Sequence, residues 1–298
     1  MQQFSATLYP YTLHYCPILF NSVTIAYCDE GPRDAPVILF IHGLGHNLSA
    51  WQRNISHLKQ FYRCIAIDLP GNGSSSRAMD YPYSMHFFTA CIKEFIHELK
   101  LERVYLCGHS MGGQVAFTLA AQQLPQVRGL MQCAPAGIET FNEWERSLYK
   151  STMALVDMLS SEENSLRKAI QNSFYILPAD IQPFIHNLVE LMRLHPKEHY
   201  RKMMEACIVA MLDEPVDRLF PSINIPVYVL FGEKDSLIPN RFIHPVTIRQ
   251  MLLAAQPSFP HLQYEIIPRC GHFLQWEKAD DVNHYLHSFI KEQEQKGK

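Results

Sequence analysis

At 298 residues the chain can hold one large α/β domain with an inserted piece, and 47% apolar residues supply a sizeable core. A formal net charge of −3 gives no basic footprint for nucleic acid, and charged residues, at 18%, fall below the globular average of about a quarter. No stretch reaches the roughly 18 consecutive apolar residues that span a bilayer. The opening Met1–Pro10 stretch has neither a basic start nor a long apolar run, so no secretory signal is expected. Eight cysteines are scattered without a Cys-x-x-Cys pair, and Cys64, Cys107 and Cys133 fall in apolar runs. Free thiols in a reducing, cytoplasmic compartment are therefore expected.

In chain order, residues 7–15 and 22–28 read as two modest strands, the second alternating through Val23, Ile25 and Tyr27. Residues 37–41 are continuously apolar, as a strand covered on both faces requires, and end in His42-Gly43-Leu44-Gly45. A short helix is expected over 51–60, with Trp51 near the mouth of any pocket. Strand 64–67 leads into the loop Asp68-Leu69-Pro70-Gly71-Asn72-Gly73-Ser74-Ser75. Residues 84–99 carry Phe87, Cys91, Phe95 and Leu99 at helical spacing. Strand 104–107, the turn Gly108–Gly113 and a helix from 114 follow, then strand 127–133. Strands alternating with helices in this way predict crossovers onto a mostly parallel sheet.

From 138 to 220 the pattern changes to helices over 143–159, 162–173, 181–193 and 196–212. Trp144, Tyr149, Met153, Met158, Phe174, Tyr175, Phe184, Met192, Met203, Met204 and Met211 are expected mainly as the core of this piece, with a minority facing a cleft. The sheet pattern resumes at 227–231. A helix over 240–255, kinked or delayed by Pro245, comes next. Strand 262–267 and a closing helix over 277–292 complete the chain, with a tail from Lys291 to Lys298 that should fray.

Reactive residue types fall where such a sheet gathers its ligands. Ser110, Asp235 and His272 each follow the C-terminal end of an expected strand, and those ends share one edge. A neutral imidazole can take the proton of an attacking serine, and a buried carboxylate fixes the ring's tautomer. Ser110 sits on a tight strand-to-helix turn, with Gly108, Gly112 and Gly113 allowing close approach. Glu233 and Asp217 rival Asp235, but Asp235 lies at the turn leaving its strand, after Gly232. His272 is set apart from the other histidines by Gly271 and a preceding strand. The amides of Leu44 and Met111 are candidate oxyanion donors, each worth about 3 kcal/mol at the transition state. His42, Gly43, Gly45 and His109 read as supporting residues. No P-loop or dinucleotide spacing is present, and His42, His46 and His57, or His195 and His199, lack a ligand set that closes a metal site.

Taken together, His42-Gly-Leu-Gly, Asp68-Leu-Pro-Gly-Asn-Gly-Ser-Ser, Gly108-His-Ser-Met-Gly-Gly, Gly232-Glu-Lys-Asp and Gly271-His resemble the α/β-hydrolase superfamily over essentially the whole chain. The cap-bearing branch of serine esterases and lipases is the most similar. The resemblance implies an α/β fold with a mostly parallel eight-stranded sheet flanked by helices, and an all-helical cap inserted after the sixth strand. The core would comprise 1–137 and 221–298, and the cap 138–220. It also implies an acyl-enzyme on Ser110 that water hydrolyses, with no cofactor and no metal. Epoxide hydrolases and haloalkane dehalogenases of the branch use an aspartate nucleophile, which Ser110 replaces. Carbon–carbon hydrolases often carry Asn before the nucleophile and Trp after the histidine, where this chain has His109 and Phe273. The leading expectation is hydrolysis of a small to medium apolar acyl or aryl ester. Thioester or carbon–carbon hydrolysis, acyl transfer, and a non-hydrolytic signalling protein that binds a small molecule stay open, as does the oligomeric state.

Overall fold

The computed structural model describes residues 8–160 and 163–296, with the side chains of 152–166 excepted. One eight-stranded sheet forms the centre, in the order β1-β2-β4-β3-β5-β6-β7-β8. Its strands are β1 (His14–Ile18), β2 (Val23–Glu30), β3 (Val37–Ile41), β4 (Arg63–Ile67), β5 (Val104–His109), β6 (Val127–Cys133), β7 (Val227–Gly232) and β8 (Leu262–Ile267). β1 and β2 pair antiparallel, β2 joins β4 antiparallel, and every later pairing is parallel. Parallel strands need helices on both faces, which is why every residue of β3 and β5 is buried and apolar or small up to His109. The chain leaves β3 for β4 on one side and returns to β5 on the other. The crevice of an open α/β sheet lies at such a reversal, beyond the carboxyl ends of the strands.

Helices α1 (Gln52–Leu58), α2 (Met85–Glu98) and α3 (Met111–Ala120) lie in the first half. Four more, α4 (Glu143–Ser160), α5 (Glu163–Asn172), α6 (Gln182–Arg193) and α7 (Lys197–Asp213), form an insertion between β6 and β7. The chain closes with α8 (Ile248–Ala255), α9 (Leu274–Glu277) and α10 (Ala279–Lys296). No helix among the described residues is long and apolar enough to cross a membrane. All eight cysteines are buried and free.

Several expected elements move. The first strand begins at His14 rather than residue 7, which itself lies outside the described residues. The aromatic alternation before it serves side-chain anchoring: Tyr9 donates to Asp68 Oδ2 at 2.7 Å, and Tyr11 to the Gln52 carbonyl at 3.0 Å. The helix expected from 51 starts as a 3-10 turn at Leu48, where the Asn47 side chain accepts from the Ser49 amide. Trp51 is fully buried against Phe40, with ring centroids 4.9 Å apart, so it is core and not pocket mouth. α8 waits until Ile248 because Thr247 and Gln250 form a capping box there. The tail stays helical to Lys296, since Glu294 accepts from Tyr105 at 2.8 Å and Lys296 pairs with Glu292 at 2.5 Å. In the insertion Met203, Phe174 and Phe184 are buried, but Trp144 and Tyr175 are 70% and 50% exposed and are not core. Met153 and Met158 lie outside the described side chains.

Candidate active site

β5 passes into α3 through a single residue. Ser110 has φ 52° and ψ −121°, a left-handed conformation that costs a non-glycine residue about 1–3 kcal/mol unless its surroundings impose it. Here they do. The Ser110 amide donates to the Cys133 carbonyl at 3.2 Å, and the Ser110 carbonyl accepts from Gly113 and Ala136 at 2.9 Å each. The end of β6 thus holds both main-chain groups of the turn. At Gly112 a Cβ would stand 2.4 Å from the Ile41 carbonyl oxygen and 2.5 Å from that of His42, so only glycine lets α3 dock on the end of β3. That docking brings the loop after β3 against the turn, with the Cβ direction of Gly43 pointing to within 3.1 Å of Ser110 Cβ.

Neither the Leu44 amide nor the Met111 amide donates to a protein acceptor among the described residues. Met111 opens α3, where helix geometry leaves amides unpaired and a positive dipole end. Both donors therefore stand available beside Ser110. His42 braces their loop. Its Nε2 accepts from the Leu69 amide at 2.9 Å, which puts the ring proton on Nδ1, bonded to the Gly43 carbonyl at 2.7 Å. Burial pushes His42 down to about 4, so it stays neutral. Behind it Asp68 accepts from the Leu48 and Ser74 amides at 2.7 and 2.8 Å, tying the two motif loops together.

At the far side, the turn after β7 closes with the Asp235 amide on the Gly232 carbonyl at 3.0 Å. Asp235 is fully buried. Its Oδ1 accepts from the Leu237 and Ile238 amides at 2.8 and 3.0 Å, and its Oδ2 lies 2.8 Å from His272 Nδ1. The carboxylate can only accept in this pair, so Nδ1 carries the proton and Nε2 offers its lone pair. Glu233, a sequence rival, is half exposed and bonds Lys234 and the Arg269 amide instead. Asp217 lies beside a separate groove. The Ser110 hydroxyl caps no amide of α3 and makes no hydrogen bond to His272 among the described residues. Nucleophile and base commonly draw together only when substrate arrives.

His109 is structural. Its Nε2 bonds the His272 carbonyl at 3.1 Å and its ring lies 4.8 Å from that of His272. Burial first, then the neighbouring His272 and His46, hold it well below the usual histidine range. A neutral His109 leaves the site free of a charge that would oppose an imidazolium on His272.

Two features carry no sequence signal. The first is the linker between α5 and α6. The Ser173 carbonyl accepts from the His272 and Phe273 amides at 2.8 and 3.2 Å, and Phe174 packs on Phe273. The second is Glu277, whose carboxylate accepts from Tyr175, Ile176 and Gly271 amides at 3.0, 2.8 and 3.0 Å. One side chain thus joins the insertion to the loop of His272. From α7, Tyr200 and Met204 crowd Gly45, and His46 packs against Phe273 and Phe184. Burial takes His46 down to about 3, so it too is neutral.

A family model described as alpha/beta hydrolase fold matches residues 36–162. The chain is 26% identical over 264 residues to a carboxylesterase of Bacillus subtilis (strain 168), covering 88% of this chain and 82% of that protein. It is 24% identical over 267 residues to a monoacylglycerol lipase of Homo sapiens, covering 87% and 76%. Against epoxide hydrolase 3 of Xenopus tropicalis the figures are 23% over 297 residues, covering 91% and 76%. Among solved structures, a probable hydrolytic enzyme from Pseudomonas aeruginosa PAO1 superposes with a TM-score of 0.80 at 23% identity, over 94% of each chain. The chain is an α/β-hydrolase-fold protein. The Ser173 carbonyl and the Glu277 carboxylate are where the helical insertion after the sixth strand is joined to the loop of His272.

Two outcomes are expected. Glu277→Ala strands three amides and should lower unfolding stability by about 1–3 kcal/mol, with Glu277→Gln milder; urea titration measures both, and an unchanged midpoint for Glu277→Ala contradicts the fastening role. The second concerns pH. Because the folded-state pKa of His42 drops from 6.5 to about 4, the unfolded chain binds that proton first, and stability falls as pH drops through this window. His42→Gln should remove about 1.4 kcal/mol per pH unit from that slope. Unfolding curves at several pH values test it, and an unaltered slope contradicts a neutral His42.

Proposed function

We propose that the protein is a serine hydrolase that cleaves carboxylic esters with a small to medium apolar acyl or aryl group. The observation that carries this reading is the buried 2.8 Å contact between Asp235 and His272, on the sheet edge where Ser110 occupies its left-handed turn. His272 Nε2 takes the hydroxyl proton as Ser110 Oγ attacks the ester carbon. The oxygen of the tetrahedral intermediate takes its charge into the amides of Leu44 and Met111. His272 returns the proton to the leaving alcohol, and water, activated by the same nitrogen, then releases the acid from Ser110. Apart from the ester and the water, every group in this sequence belongs to the chain itself.

The acyl preference follows from the walls. Met204 and Tyr200 from α7, Phe184 from α6 and Phe273 make the surroundings of the oxyanion loop apolar and, at methionine, adaptable. The insertion would act as the lid over this space, with 138–220 as cap and the flanking segments as catalytic core. Relatives named as a carboxylesterase and a monoacylglycerol lipase lend support to ester chemistry. A hydroxyl nucleophile paired with an imidazole suits acyl transfer to water better than epoxide opening, the chemistry named for another relative.

Hydrolysis of p-nitrophenyl esters from acetyl to palmitoyl tests the proposal. Turnover is expected to peak at short or medium chains and to vanish in Ser110→Ala. Asp235→Asn should keep KM near that of the parent while kcat falls about ten-thousandfold. A folded parent protein that turns over none of these esters, or a Ser110→Ala variant that retains the rate, contradicts it.

A further inference from the structure

The 2.8 Å contact between Asp235 and His272 joins two loops, and a third segment reaches both. It is the strap 172–176, which leaves the end of α5 in the insertion. On the Asp235 loop, the Ser236 hydroxyl donates to the Asn172 carbonyl at 3.0 Å. On the other loop, the His272 amide donates to the Ser173 carbonyl at 2.8 Å. Gly271 lies against the strap itself. A Cβ there would stand 2.5 Å from the Tyr175 nitrogen and 2.7 Å from the Ser173 carbonyl oxygen, so the two segments meet main chain to main chain. A Cβ on Gly232 would in turn collide with the Gly271 carbonyl oxygen. The end of β7, the His272 loop and the strap are thus stacked with no side chain between them to absorb a shift.

Glu277, on α9, locks this stack. Its Oε2 accepts from the Gly271 and Tyr175 amides at 3.0 Å each, and its Oε1 from the Ile176 amide at 2.8 Å. One carboxylate therefore takes one amide from the His272 loop and two from the strap. Hydrogen bonds to an ionised acceptor are roughly twice as strong as neutral ones. They reach main-chain amides only, and neither the Ser110 hydroxyl nor the His272 ring.

We propose that Glu277 is a positioning residue for His272 and acts through the strap 172–176. The inference rests on the serine-hydrolase reading above. With the strap fastened, the Ser173 carbonyl fixes the His272 amide, and the ring keeps Nδ1 on Asp235 while Nε2 is left for Ser110. With the strap released, the imidazole shifts off that line. A misplacement of about 1 Å can cost a rate about a hundredfold. The shift acts on proton transfer, which every ester shares, and leaves Tyr200 and Met204 on α7 in place.

The test combines hydrolysis of the p-nitrophenyl ester series with the rate of fluorophosphonate labelling of Ser110, in proteins shown by circular dichroism to be folded. Glu277→Ala is expected to lower kcat at least about tenfold at every chain length, with KM within about twofold of the parent. Labelling should slow by the same factor. Glu277→Gln keeps an oxygen for Gly271 and should hold kcat within about threefold of the parent. Ser236→Ala, at an exposed position, should lower kcat about threefold or more in the same uniform way. Because both residues act through one strap, Ser236→Ala should add little to Glu277→Ala. Parental kcat and labelling in folded Glu277→Ala overturn the proposal, whatever happens to stability. A loss confined to long acyl chains overturns it too, since the strap would then be a pocket wall. If Glu277→Ala does not fold, parental kcat in Ser236→Ala overturns it instead. A folded parent that neither hydrolyses these esters nor is labelled at Ser110 fails at the serine-hydrolase reading, and this proposal falls with it.

Discussion

Everything at the carboxyl edge of the sheet depends on one close approach, the first turn of α3 against the end of β3. With no side chain at Gly112, the helix start lies on the Ile41 and His42 carbonyls. That contact sets the start of α3 directly after the left-handed turn of Ser110, and the Met111 amide has no protein acceptor among the described residues. It also brings Leu44, on the loop after β3, beside the same serine. The turn's conformational cost is offset by hydrogen bonds to the end of β6 and the residues after it.

The Asp235–His272 pair is built by different means. Asp235 has both oxygens engaged, by two amides and by His272, and His272 is held in turn by the Ser173 carbonyl. Ser173 belongs to the insertion. The insertion is therefore part of the mounting of the histidine, and Glu277 reinforces the same joint. The flanking imidazoles of His42, His46 and His109 are kept uncharged by burial.

Much of this was legible in the sequence because it rests on patterns that sequence displays. A strand buried on both faces leaves an apolar run, so 37–41 matches β3, and 127–133 and 262–267 match β6 and β8. Ser110, Asp235 and His272 could be ranked above their rivals because each follows a strand, and strand ends converge. The misreadings have equally physical causes. Tyr9 and Tyr11 alternate like a strand, but their hydroxyls anchor a loop. Trp51 looked like a pocket residue because bulk does not reveal which side of a sheet a residue faces. Glu277 and Ser173 were invisible because one accepts from, and the other offers, backbone groups, which any sequence supplies.

The most direct test of the central claim is covalent. The intact protein would be treated with a fluorophosphonate, digested, and mapped by mass spectrometry. The account predicts a single adduct on Ser110, formed rapidly in the parent protein and much more slowly in His272→Ala. An adduct on another residue, or no adduct on a protein shown to be folded, would contradict it.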